Sequence, residues 1–90
     1  MLYVLVSYTV LDYARWRAVC DTDTVVQRRA GVLVREILND EKNDTRVTLV
    51  AQVKSRRDAM ALARRKELPK LIEKAGLLPE TVSYTWLREQ

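Results

Sequence analysis

The chain contains no histidine, and that absence excludes more than any other feature of its composition. The commonest general base at neutral pH is missing, as are the usual metal ligand and any Ser-His or Cys-His pair. Any chemistry must use carboxylates, tyrosines, arginines or the substrate itself. A single cysteine, Cys20, allows no internal disulfide and no cysteine metal pair, which fits a reducing cytoplasm. Two glycines, two prolines and no Ser-rich or Gly-rich stretch leave no linker, so residues 1–90 read as one domain. No apolar run is long enough to span a membrane, and the opening Met1–Val6 lacks the basic start and cleavage site of a signal peptide.

Ninety residues lie near the low end of what one core supports; such a chain buries about 60–65% of its unfolded surface. The net charge of +4 is modest and unevenly placed. Lys54, Arg56, Arg57, Arg64, Arg65, Lys66, Lys70 and Lys74 crowd the second helical region against Asp58, Glu67 and Glu73. A polyanion surface is one reading and a solvated helix face is the other. No aromatic residue lies among these basic residues to stack on bases, so nucleic acid is not the expected partner.

Periodicity defines the fold class. Leu2, Val4, Val6, Tyr8 and Val10 alternate with Tyr3, Leu5, Ser7 and Thr9, which is the period of a strand. Asp12 is placed to cap a helix whose stripe holds Tyr13, Trp16 and Cys20. The poor helix formers Asp21–Thr24 predict a break before the helix resumes over Val25–Ala30, with Gly31 past its end. Val32–Asn39 and Thr45–Val53 flank a polar turn and predict a hairpin, with Val34 opposite Ala51 and Glu36 opposite Leu49. Ser55 opens a second helical region, Pro69 interrupts it, and Gly76 ends it. A last strand spans Thr81–Arg88, with Val82, Tyr84 and Trp86 on one face.

The order β-α-β-β-α-β predicts an α+β, ferredoxin-like domain with a four-stranded antiparallel sheet. On this register one sheet face is Leu2, Val4, Val6, Tyr8, Val32, Val34, Leu38, Val47, Leu49 and Val53, which two helical regions should cover. The other face mixes Tyr3, Leu5, Leu33, Ile37, Val50 and Leu87 with polar residues. That face is too apolar for water and too polar for a helix-packed core, so a second copy of the chain is expected against it.

Several stretches carry a resemblance to a known family. They are Asp12-Tyr13-Ala14-Arg15-Trp16-Arg17, Arg28-Arg29-Ala30-Gly31, the hairpin from Leu38-Asn39-Asp40 through Arg46-Val47-Thr48-Leu49-Val50, and Leu68–Gly76. Over essentially its whole length the chain resembles the dimeric α+β-barrel superfamily, within it the antibiotic-biosynthesis-monooxygenase-like small proteins. The resemblance implies a homodimer with two sheets face to face and helices outside. It implies cofactor-independent oxygenase or cyclase chemistry on an apolar, aromatic or polyketide-like substrate, or binding alone. Haem-degrading members use a histidine ligand, which this chain lacks, so no cofactor and no metal are expected. In such a pocket a desolvated phenol or enol loses a proton, and the carbanion itself reduces dioxygen.

Glu36 is the candidate base: on the expected register it is a carboxylate among Val34, Leu38 and Leu49, where desolvation would raise its pKa. A bulge or strand end turning it outward, or pairing with Arg35 or Arg46, is the alternative. Trp16 is either a pocket wall or core. Tyr8, Tyr84 and Trp86 share the apolar face and would hold a substrate oxygen or satisfy one another. Arg35 would anchor an anionic substrate or form a dimer salt bridge, and Cys20 is packing. Two other classes fit the topology. One is a dimeric scaffold or regulator without ligand. The other is the small CRISPR-associated nucleases, which place a metal-binding aspartate at the end of the first strand, where this chain has Tyr8-Thr9-Val10 and its first acid only at Asp12.

Overall fold

Alternation in the first segment becomes the central strand of the sheet. The computed structural model describes residues 1–90. The elements run β1 (Leu2–Val10), α1 (Tyr13–Thr22), α2 (Thr24–Arg29), β2 (Val32–Asn39), β3 (Arg46–Val53), α3 (Arg56–Ala63), α4 (Leu68–Ala75) and β4 (Leu77–Arg88). The four strands form one antiparallel sheet in the order β2-β3-β1-β4. This is the expected ferredoxin-like topology, with each helical region in two pieces.

The breaks come from the residues that predicted them. Asp12 caps α1, its carboxylate accepting from the Arg15 amide at 2.9 Å. Asp23 closes α1 and begins α2, since its amide turns back to the Cys20 carbonyl. The Ser55 hydroxyl accepts from the Asp58 amide at 3.0 Å and starts α3. Pro69 sits in the first turn of α4, where its missing N–H costs nothing. Gly76 ends α4 at φ +70°, a left-handed conformation that side chains resist. The Arg15 guanidinium donates to the Lys74 and Glu73 carbonyls at 2.9 and 3.0 Å, so α1 caps the end of α4.

All helices lie on one face of the sheet, and β3 shows why. Val47, Leu49, Ala51 and Val53 are buried, while Arg46, Thr48, Val50 and Gln52 on the other face are only half-buried. The buried residues form two clusters. Tyr8, Val10, Trp16, Val19, Val47, Leu49 and Ala75 make one under α1 and α4. Val4, Val32, Ala51 and Val53 make the other, with Ala59 and Leu62 of α3 packed on it.

Two irregularities revise the expected register. Val34 pairs with Ala51 as anticipated, but Glu36 pairs with Val50 instead of Leu49. Arg35 is the extra residue of a β-bulge, which adds one position to β2 and exchanges the two faces beyond it. Ile37 therefore packs against the helix-covered core, and Leu38, expected there, is 51% exposed. Glu36 moves to the opposite face with Leu38.

The second irregularity extends β4 beyond the expected start at Thr81. Ser7 pairs with Ser83 and Thr9 with Leu78, so Pro79–Val82 stand against Tyr8 alone. Pro79 has no N–H for a ladder and is tolerated because the strand bulges there. Thr81 repairs the gap: its hydroxyl accepts from the Thr9 amide at 2.8 Å and donates to the Leu78 carbonyl at 2.6 Å. Thr81→Val keeps the shape and removes both bonds. It should destabilise the fold by about 1–3 kcal/mol, because the Thr9 amide is left unpaired; urea denaturation measures this.

Candidate functional site

Between the two core clusters the sheet and helices enclose a partly open cavity of about 200 Å³. Val4, Val6, Leu49 and Ala51 form its floor on the sheet, and Leu62, Ala63, Leu71 and Ile72 its roof on α3 and α4. Tyr8, Trp16, Tyr84 and Trp86 all contribute to its wall. The β1–β4 register brings them in, setting Tyr84 against Val6 and Trp86 against Val4.

Tyr8 and Trp16 form a fixed pair. The Trp16 indole N–H donates to the Tyr8 hydroxyl at 3.0 Å, and the rings meet edge to face at 5.9 Å. Both are buried, so the two alternatives for Trp16 hold together: it is core and cavity wall at once. Burial raises the Tyr8 phenol far above its ordinary range, Cys20 adds to the rise, and the Trp16 hydrogen bond partly opposes it. The phenol is therefore neutral at physiological pH. Its oxygen accepts from Trp16, while its own proton has no protein acceptor. Trp86 is half-buried under the guanidinium of Arg56, whose carbon lies 4.8 Å from the ring centre.

Glu36 and Arg35 are not part of this cavity. The bulge turns Glu36 outward, where it is exposed and pairs across the sheet with Val50. The expected desolvated carboxylate among Val34, Leu38 and Leu49 does not exist. Arg35 is exposed, and its guanidinium binds the Gln52 side chain through Nε at 3.2 Å and a terminal nitrogen at 3.0 Å. Gln52 lies on the face away from the helices.

The polar part of the cavity comes from residues that sequence reasoning assigned to other tasks. Asp23, at the break between α1 and α2, accepts from an Arg65 terminal nitrogen at 2.6 Å and from the Gln27 amide at 3.2 Å. Asp23, Gln27 and Arg65 all line the cavity. The Asp23 and Arg65 side chains are only 11% and 13% exposed. Arg65 thus leaves the basic helix surface to which composition assigns it. The available signal was the break at Asp23, an acid facing inward where two helices part.

Cys20 also lines the cavity. Burial first, and the neighbouring Asp21 second, raise its thiol from 9.0 to about 11. It is protonated at neutral pH and poorly reactive. No group of three or more acidic or cysteine side chains is arranged to hold a metal ion.

No protein-family model and no curated protein sequence matches the chain. Solved structures do match. A Bordetella bronchiseptica protein ascribed to the antibiotic biosynthesis monooxygenases superposes with a TM-score of 0.80 at 14% identity, covering 99% of this chain and 96% of that one. SnoaB, a cofactor-independent oxygenase from Streptomyces nogalater, gives 0.75 at 12% identity, over 99% and 92% of the two chains. A Nitrosomonas europaea protein ascribed to the same group gives 0.72 at 18% identity, over 99% and 98%.

The raised Cys20 thiol carries a stability signature. Below about pH 9 the thiol is protonated in both folded and unfolded chains, and its contribution is fully present. As pH rises from 9.0 to about 11 the unfolded chain ionises first, so stability falls. Urea titrations across that window should show the decline, and Cys20→Ala should make it shallower. The remaining loss above pH 10.0 belongs to Tyr8, whose phenol is raised from that value. Over 99% of its length the chain therefore shares the α+β fold of these three structures.

Proposed function

We propose that the chain binds a small apolar aromatic molecule in the cavity between sheet and helices, in the manner of a cofactor-independent oxygenase or cyclase. The observation that carries this reading is the composition of the wall: aromatic and aliphatic groups throughout, with a single polar corner at Asp23, Gln27 and Arg65. Small-molecule sites have this character, mostly apolar with a few fixed polar groups.

Volume narrows the ligand. A dry apolar cavity of about 150 Å³ accommodates benzene, so about 200 Å³ suits one or two fused rings. Chemistry narrows the mechanism. The neutral Tyr8 phenol and Cys20 thiol cannot act as bases at neutral pH, and the Asp23 carboxylate is engaged by Arg65 and Gln27. A substrate turned over here would lose its proton to water, and its carbanion would form a C–O bond to dioxygen and take a proton back from water to give a hydroperoxide.

Calorimetric titration with naphthalene tests the binding. Saturable binding is expected, accompanied by a rise in melting temperature. Ala63→Leu, which pushes a larger side chain into the cavity, should abolish binding and leave the fold as stable or about 0.5–2 kcal/mol more so. Absence of binding to the unaltered protein would refute the reading.

We also propose that the chain works as a homodimer joined through the sheet face opposite the helices. Tyr3, Leu5, Leu33 and Val50 lie on that face uncovered, beside the exposed Leu38 and Leu87. Light scattering at micromolar concentration should give twice the 10.5 kDa chain mass. A monomer would overturn this, and Leu5→Lys should dissociate the dimer without unfolding the chain.

A further inference from the structure

We infer that the chain carries a second binding site, an anion cleft at one end of the sheet that takes a multiply charged phosphate chain, a di- or triphosphate. This site is separate from the aromatic cavity and does not rest on the binding proposed there.

Three distant segments build that end of the sheet. The end of α2 carries Arg28, the link from β3 into α3 carries Lys54 and Arg56, and β4 ends at Arg88. Backbone bonds lock the first two together. The Gly31 amide donates to the Arg28 carbonyl at 3.0 Å, and the Lys54 amide donates to the Gly31 carbonyl at 2.9 Å. Gly31 permits this approach: its φ of +82° is left-handed, and a Cβ there would meet the Lys54 Cβ at 3.0 Å. Arg88 pairs with Leu2 of β1, two places beyond Trp86, and the Arg56 guanidinium lies over the Trp86 ring.

The result is an open cleft of about 910 Å³ that Arg28, Lys54, Arg56 and Arg88 all line, with no acidic residue in its lining. Asp58 lies beside Gly31 and Glu89 follows Arg88, but neither lines the cleft or forms an ion pair. Elsewhere Arg15, Arg17, Arg35, Arg46 and Arg65 spend guanidinium donors on groups of the chain itself. The four cations of the cleft have no such partner, and only Arg56 is engaged at all, by a ring face. Like charges drawn into one concavity repel one another and focus a positive field there. This differs from a solvated basic face such as Lys66, Lys70 and Lys74, which alternate with Glu67 and Glu73.

Charge and shape select the ligand. A single sulfate meets only part of the set. A phosphate chain carries several charges along its length and offers oxygens to guanidinium forks and to an ammonium alike. The start of α3 adds partial positive charge, since Ser55 and Arg56 are its cap and first residue. A nucleic-acid strand also needs surfaces on which bases stack, and no aromatic side chain lines the cleft.

Calorimetric titration of the unaltered protein with sodium triphosphate tests the site, at an ionic strength of about 0.15 M. One triphosphate per chain is expected, bound more than about tenfold more tightly than sulfate. Arg28→Gln and Arg88→Gln each remove one exposed charge and should weaken triphosphate about three- to tenfold. Lys70→Gln removes an equal charge outside the cleft and should change affinity by less than about twofold. Adenosine triphosphate distinguishes the source of the chain: tighter binding than triphosphate marks a nucleotide, weaker binding a free anion, and either supports the site. Equal affinity for triphosphate and sulfate, or several triphosphates per chain, would overturn the inference in favour of diffuse surface charge. An equal loss from Lys70→Gln would do the same. Tighter binding of a thymidine oligonucleotide than of triphosphate would overturn it in favour of a nucleic-acid surface. Arg28, Lys70 and Arg88 are exposed, so their variants should fold, and the comparison of triphosphate with sulfate needs no variant.

Discussion

The pairing of β1 with β3 on one side and β4 on the other is the constraint on which the rest depends. It fixes Tyr8 beside Val47, Val6 beside Tyr84 and Val4 beside Trp86. A strand with partners on both sides has most of its backbone groups committed to ladders, and in β1 the Thr81 hydroxyl takes the Thr9 amide where the ladder to β4 is interrupted, so its side chains become fixed reference points. Tyr8 then holds Trp16, Trp16 holds α1 to the sheet, and Arg15 of the same helix caps α4. The contacts propagate from the centre of the sheet outward to the helices.

What the helices leave uncovered follows from how they are broken. Asp23 divides the first helical region and Pro69 begins a new helix within the second, so four short helices cover the apolar face. Helices of six to ten residues cannot be straight covers for a sheet of this width. Each leans on its own cluster of buried residues, and the cavity occupies the junction. Its polar corner arises at the same junction, because Asp23, which caps the end of α1, meets Arg65, two residues beyond α3.

Much of this was legible in the sequence, and the rest was hidden for definite reasons. Helix starts at Asp12 and Ser55 and helix ends at Gly31 and Gly76 could be read because capping is local chemistry, expressed within three or four residues. The pocket aromatics Tyr8, Trp16, Tyr84 and Trp86 were legible from strand alternation and helix spacing. Glu36 was misplaced because a one-residue bulge at Arg35 leaves no local mark, yet it reverses every later side chain of β2. The bulge in β4 had a signal in Pro79, whose effect depends on Thr81 supplying the missing ladder group. Arg65 could not be found from sequence because its meaning lies in Asp23, and only the folded chain brings the two together.

The cavity has an energetic cost that bears on the binding proposed above. Empty core volume costs about 24 cal/mol per Å³ by the measure of large-to-small substitutions. Applied to about 200 Å³, that is about 5 kcal/mol, the lower end of the total stability of a typical small domain. Partial access to solvent lessens the cost without removing it, because an apolar wall hydrates poorly. The wall contains Ala51, Ala59, Ala63 and Ala75, small side chains that help leave the space open. A chain selected for stability alone would fill it. Retaining the void gives up packing contacts along its wall, and an occupant of the kind proposed above, a flat apolar ring, would restore them.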